Sequence, residues 1–414
     1  MDNLAPTKKD LLEKITSAPL TFTRKDFDDL VAKRTDKDVE NKLTFDDLRT
    51  AMMTIYDANE RSFLKESSSA FAGKLGVLND WATWWRNKKF HRRIKSRQFQ
   101  ERTDKKIILA EGDSWFQFPF FVKDIVRHLI KNNNCAVKSI AAGGDWLANI
   151  IYEGKYIEEL TLYQPDFLLV SGGGNDAVSE DRMAVFVSKC DIKRDLSKIV
   201  DHHFPEIYDL LLEKQTSRAS ESDQGKKAML PKMSNDFFAF ILVLKVQYYM
   251  MFHGIEEAKK FPNLKIITQG YDYALPRDGM NFKFPHFFQP FINGIMGSGG
   301  WLYTPLMIKE VTNRSEQEMI VRIWIDEVNF MYKDLAHRYG LKQVVHINFR
   351  GLATGKQDWY DELHLHSRKF KEAAEMYMDV IEGKVRPEKN VVDFGAVIAE
   401  REAVRATPEA ALTL

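Results

Sequence analysis

From Lys105 onward, hydrophobic positions gather into short strand-like runs separated by longer stretches with helical spacing. The runs occupy 107–110, 136–141, 167–171, 264–268 and 343–347. Unbroken apolar runs of roughly 4–8 residues ended by turn residues predict strands buried on both faces. A helical pattern follows from about 121 to 131, and others fill the remaining intervals. Strands alternating with helices predict an α/β fold, a parallel sheet covered by helices on both faces. The first hundred residues contain no such run. There, Thr44-Phe45-Asp46-Asp47 reads as an N-cap with first-turn acids. Leu48, Met52, Ile55 and Tyr56 follow at helical spacing. The chain is therefore expected to comprise an N-terminal helical region (1–104), an α/β unit (105–385) and a C-terminal tail (386–414). Insertions are expected near 215–232 and 281–307. The stretch from Gln215 to Lys227, rich in Ser, Gln and charge, reads as a mobile loop. The tail holds one weakly amphipathic stretch, from Val391 to Val404, with no evident role.

Composition narrows the partners. The 414 residues are 44% hydrophobic and 29% charged, with a formal net charge of +1. That is globular, and it provides no global field to draw nucleic acid or membrane. Cys135 and Cys190 are too few for a disulfide framework or a Cys-rich zinc site, and read as small buried hydrophobes. No apolar segment follows Met1 in the manner of a secretory signal. The most apolar stretch, between Phe237 and Phe252, is interrupted by Lys245 and Gln247 and reads as a buried helix. The expected location is cytoplasmic, with signal-independent export left open.

Candidate chemistry gathers after the predicted strands, where open parallel sheets bind ligands. The first strand runs into Gly112-Asp113-Ser114, the second into Gly143-Gly144-Asp145 and the third into Gly173-Gly174-Asn175-Asp176. Asp361-Glu362-Leu363-His364 follows the last strand. A serine hydroxyl becomes a nucleophile when a base takes its proton, and an imidazole titrating near neutrality suits that task. A carboxylate three residues before the histidine is placed to hold its Nδ1 hydrogen and fix the tautomer. The N–H groups of Ser114 and Gly144 and the amide of Asn175 are candidate donors to an oxyanion. No Gly-x-Ser-x-Gly elbow is present.

In their order and separation these four blocks resemble the SGNH hydrolase superfamily, the GDSL esterases and lipases. The resemblance covers about 105–180 and 342–382. It does not extend to the first hundred residues or the later insertion. It implies a three-layer α/β/α, flavodoxin-like sandwich with a five-stranded parallel sheet. It also implies hydrolysis of carboxylic esters without metal or other cofactor. Carried over by position, it makes Ser114 nucleophile and first oxyanion donor, Gly144 and Asn175 the other donors, His364 the base and Asp361 its orienting partner. Two departures stand out. Trp115 replaces the usual leucine after the serine. Leu365 replaces the proline often found after the histidine, and His366 beside it is a rival base.

Other readings compete. The glycines at 172–174 suggest a phosphate cradle, but no P-loop lysine follows. Asp361, His364 and His366 suggest a metal site but lack a fourth ligand. His202 and His203 read as surface or helix-face histidines. From Trp81 to Arg97, three tryptophans stand beside seven Lys and Arg. This reads as a helix packing its tryptophans on the α/β unit and solvating its charges, with a membrane surface or a protein or nucleic-acid partner as alternatives. The aromatic insertion between Phe282 and Trp301, after Tyr271, Tyr273 and Pro276, reads as a lid or acyl-chain wall, or as an ordinary packed loop. Trp115, Phe287, Phe288 and Trp301 are the pocket candidates. The function expected is an esterase working through an acyl-enzyme on Ser114, lipase- or phospholipase-like or a general esterase, acting on an ester that includes lipid among the candidates. O-acyl transfer, carbohydrate deacetylation and a partner-regulated effector anchored by the N-terminal helices are the alternatives, and homo-oligomers are allowed.

Overall fold

The computed structural model describes residues 69–118, 122–188, 229–277, 300–338, 344–388 and 390–398. The expectations for 44–56, Cys190, His202, His203, 215–227, Phe287 and Phe288 lie outside them. The strands are β1 (Lys106–Gly112), β2 (Cys135–Ser139), β3 (Phe167–Ser171), β4 (Lys265–Gln269), β5 (Val344–Asn348) and β6 (Val391–Asp393). The helices begin with α1 (Ser69–Ile94), α2 (Arg97–Gln100), α3 (Ile125–Leu129), α4 (Leu147–Glu153) and α5 (Lys155–Tyr163). They continue with α6 (Gly174–Val178), α7 (Asn235–Glu257), α8 (Tyr303–Ile308), α9 (Arg314–Arg338) and α10 (Ser367–Ile381).

All strands pair in parallel, in the order β2-β1-β3-β4-β5-β6. The first five reproduce the flavodoxin-like order, whose direction of growth reverses between β1 and β3. That reversal opens a crevice at the carboxyl ends of these two strands, where Gly112 pairs in register with Ser171. Every residue of β2 and β3 is buried, which explains the unbroken apolar run of β3; in β2 the run is interrupted by Lys138, which pairs with Glu159 at 3.2 Å.

The sheet has six strands rather than five. The sixth comes from the tail, where Val391–Asp393 opens the amphipathic stretch. A strand of three residues is too short to give a period. It is held by pairing with β5, by burial of Val392 and Phe394, and by Asn348 Nδ2 donating to Asp393 at 3.0 Å.

Helix α7 also departs from its expectation. It runs from Asn235 to Glu257, and its 235–256 span is long and apolar enough to cross a membrane by length and composition. One face is packed in the core through Phe237, Ile241, Leu244 and Tyr248, while Val243 and Met250 on the other are exposed. The interrupting Lys245 bonds Asp334 of α9 at 3.0 Å, both side chains buried. Cys135 is buried beside Met378, as a small hydrophobe would be, and burial pushes its thiol up to about 12.

Helix α1 lies along the outer edge of the sheet. Phe90 is buried with Phe99 and Ala136. Asn87 pairs with the backbone of Ser139 in both directions, Nδ2 donating at 2.9 Å and Oδ1 accepting at 3.0 Å. Arg93 donates to the carbonyls of Asn132 and Cys135. These side chains satisfy backbone groups that an edge strand leaves open. The expected pattern of buried tryptophans and solvated charges holds only in part: Lys89, Arg92, Lys95 and Arg97 are exposed, but Arg86 is not. Trp84 and Trp85 are half-buried under the ammonium groups of Lys88 and Lys89, and it is Arg86 that is buried.

Candidate active site

The turn after β1 is drawn tightly against β3. Gly112 has φ +155°, and a Cβ there would lie 2.3 Å from the Ser171 carbonyl oxygen. Only glycine permits this approach, and Asp113 N then donates to the same carbonyl at 3.0 Å. The Asp113 side chain is buried and fully engaged. Its Oδ1 accepts from Trp115 N at 3.1 Å and Ser171 Oγ at 2.8 Å, and its Oδ2 accepts from the Tyr271 hydroxyl at 2.5 Å. Ser114 is thereby fixed at the mouth of the crevice.

Ser114 Oγ lies 2.7 Å from His364 Nε2, and His364 Nδ1 lies 2.7 Å from Asp361 Oδ2. The other Asp361 oxygen accepts from the backbone N–H of Leu363 at 2.7 Å and His364 at 2.6 Å. The three-residue spacing works because one carboxylate closes the turn and holds the imidazole together. Trp115 Nε1 donates to the Leu363 carbonyl at 3.2 Å, joining the serine turn to the histidine turn. The imidazole is flanked by Phe118, at 4.3 Å between ring centroids, and by the edge-on ring of Trp301 at 5.8 Å. His366 does not take this place. It precedes α10, and its ring packs on Tyr360. Asp361 and His364 bond each other, so they are not arranged with His366 as a set of metal ligands.

The three candidate oxyanion donors are placed differently. Asn175 opens onto the cleft with Ser114, and its Nδ2 donates to the Asp145 carbonyl at 2.9 Å, leaving a second amide hydrogen. Gly144, at φ +86°, sits in the turn between β2 and α4 and is not among the residues that line the cleft. The cleft opens to solvent and spans ≈ 360 Å³ with that solvent included; its lining combines the polar Ser114, Asn175 and His364 with the apolar Val178, Ala274 and Ile325. Trp115 reaches the lining but is otherwise buried edge-to-face against Tyr271 and Phe370. Trp301 is half-buried over His364.

The sequence reading did not single out Tyr271, Ser171, Gln269, Phe118 or Glu362 as part of the site. Tyr271 donates to Asp113 and accepts from Gly174 N at 3.1 Å, linking three strand ends. Burial, followed by the Asp113 charge, pushes its hydroxyl well above the usual tyrosine range, so it stays a donor. Tyr377 donates to Gln269 and Gln269 to Ser171, supporting Asp113 from below. The visible signal for Tyr271 was its place just past β4, since polar residues at strand ends face the crevice.

Glu362 gathers backbone donors from both flanks of 278–299. Its Oε1 accepts from Arg277 N at 2.8 Å and Tyr303 N at 3.0 Å, and its Oε2 from Leu302 N at 3.0 Å. Burial pushes this carboxyl from 4.5 up to about 7, against the pull of those three donors. A carboxyl raised on folding contributes stability that is fully present below its unfolded value and is lost as pH rises through the folded one. The interval from 4.5 to 7 corresponds to about 3 kcal/mol. Between pH 5 and 8 the melting temperature should therefore fall by several degrees relative to Glu362→Gln, which does not titrate. Parallel melting curves for the two proteins across that range would refute the titration.

Four sequence blocks, in the family's order and at strand ends, thus close into one site. The chain resembles the SGNH hydrolases. No family model matches it, and neither does any curated protein. Matches among solved structures include the extracellular lipase of Streptomyces rimosus, at 12% identity and TM-score 0.33, covering 66% of this chain and 99% of that one. Phospholipase A1 of Streptomyces albidoflavus matches at 11% identity and TM-score 0.32, covering 68% and 100%. A catalytic mutant of an acetylxylan esterase from Geobacillus stearothermophilus matches at 10% identity and TM-score 0.31, covering 67% and 94%.

Proposed function

We propose that this SGNH-like protein is a serine esterase that works through an acyl-enzyme on Ser114. The observation that carries the reading is the continuous chain of short hydrogen bonds from Ser114 through His364 to Asp361 at the lip of a cleft. Ser114 Oγ attacks the ester carbonyl as its proton passes to His364 Nε2, and Asp361 stabilises the resulting imidazolium. The negative oxygen of the tetrahedral intermediate is held by the N–H of Ser114 and the free amide hydrogen of Asn175, both of which line the cleft, and the family resemblance adds the N–H of Gly144, in the adjoining turn, as a third donor. Each such donor is worth ~3–4 kcal/mol in the transition state. The intermediate collapses as the C–O bond breaks and the alcohol leaves with the proton from His364. Water then adds to the acyl carbonyl, giving its proton to His364, and Ser114 departs protonated as the acid is released.

The apolar wall of Val178, Ala274 and Ile325 favours an acyl group with some alkyl surface, at ~0.8 kcal/mol for each CH₂ buried. A lipid ester fits this preference, as does a simpler alkyl ester. An alcohol able to replace water in the second half would make the protein an acyltransferase, and product analysis with alcohol acceptors separates the two outcomes. The deciding experiment is treatment of the full chain with a fluorophosphonate probe, followed by peptide mass spectrometry. A single adduct on the Ser114 peptide, with parallel loss of p-nitrophenyl ester hydrolysis, is expected. Labelling elsewhere, or none, refutes the assignment.

A further inference from the structure

Helix α1 lies outside the region of family resemblance, yet its buried face reaches towards the site. Arg86 is 2% exposed. Its guanidinium donates to the Phe116 carbonyl at 2.6 Å and to Asp124 Oδ2 at 2.5 Å. Asp124 Oδ2 also accepts from Phe118 N at 3.1 Å, and Asp124 Oδ1 caps α3 through Arg127 N at 2.9 Å. One turn earlier in α1, Thr83 Oγ1 and the Gln117 side-chain amide lie within hydrogen-bond distance of each other. Residues 116, 117 and 118, which follow directly from the serine turn, are thus each tied to α1 directly or through one carboxylate. Phe118 is the residue whose ring packs 4.3 Å from the imidazole of His364.

We propose that α1 belongs to the active-site apparatus, and that Arg86 is a positioning residue that holds Phe118 against His364 through Phe116 and Asp124. The inference rests on the serine-esterase reading. Phe118 restricts the imidazole to the rotamer that faces Ser114, and Arg86 sets where Phe118 stands. A planar guanidinium suits this place because it serves a carbonyl and a carboxylate from one fork, whereas an ammonium supplies a point charge. Without Arg86, Asp124 is a buried carboxylate that burial already pushes upward. It would protonate, and one of its oxygens would cease to be a free acceptor for Phe118 N or Arg127 N.

The test uses the full chain and rates normalised to Ser114 sites titrated with the fluorophosphonate, so that misfolded protein does not count. Arg86→Met combined with Asp124→Asn removes the ion pair without stranding a charge, and Arg86→Lys retains the charge but loses the fork. Phe118→Leu removes the ring while sparing Arg86. Because small misplacements of reacting groups cost on the order of 100-fold, the double variant should lose roughly ten- to hundredfold in kcat per titrated site, with KM within about threefold. Phe118→Leu should reproduce that pattern, and Arg86→Lys should fall between it and wild type. Should the double variant fail to fold, Arg86→Lys and Phe118→Leu decide. Wild-type kcat per site in every folded variant overturns the proposal. Failure of the wild type to label at Ser114 overturns the esterase reading instead, so the two failures are distinguishable.

Discussion

Ser114→Ala yields a folded protein that no longer hydrolyses p-nitrophenyl esters and no longer takes up a fluorophosphonate. The expected fall in kcat is on the order of 10⁶-fold, the scale seen when the nucleophile of a serine relay is removed. Stability should be almost unaffected. Ser114 Oγ bonds His364 Nε2 and carries no part of the core. The turn around it is held by Asp113, Trp115 and Tyr271, all of which remain. His364 stays clamped by Asp361 and between Phe118 and Trp301. Residual turnover above about 1% of wild type, in protein freed of wild-type contamination, would show that Ser114 is not the nucleophile.

Asp361→Asn should have the second-largest effect, about 10⁴-fold in kcat. The asparagine oxygen can keep the bonds from Leu363 N and His364 N that close the turn. Its amide would then face His364 Nδ1, where the carboxylate oxygen now stands 2.7 Å away. An N–H in that position favours the imidazole tautomer with hydrogen on Nε2, which donates to Ser114 instead of accepting from it. The imidazolium formed during acylation also loses its counter-charge. The same variant should melt close to wild type and titrate with fluorophosphonate far more slowly. A variant with near-normal kcat would place the proton-accepting pair elsewhere, and His366 would be the first residue to examine.

The strands of the sheet's centre were legible because burial on both faces leaves an unmixed apolar run, and β3 matched its run at both ends. The relay was legible for a different reason. Chemistry restricts it to Ser, His and a carboxylate, and the Asp361–His364 spacing is local enough to see. The supporting residues were hidden because their partners are remote. Tyr271 is 158 residues from the Asp113 it bonds, and Trp115 is 248 from Leu363. Strand β6 was hidden for want of length, and Arg86 because a charged residue on a helix ordinarily faces water. Composition did not reveal that Asp124 and a main-chain carbonyl would be waiting for it. Glu362 is masked by its neighbours, lying between Asp361 and His364, whose tasks the relay explains, while its own partners at 277, 302 and 303 are remote in sequence.

The covering of β2 by α1 bears on how the chain can be cut. A protein beginning at Lys105 would retain every residue of the relay, but the outer side of β2 would lose the cover that α1 gives it. The carbonyls of Asn132, Cys135 and Ser139 and the Ser139 N–H would lose Asn87 and Arg93. An extended, buried-type strand presenting such groups is a template on which a strand from another molecule can add. The shortened enzyme would carry a sticky margin, and the helix that steadies the serine turn is also what keeps neighbouring molecules from zipping onto it.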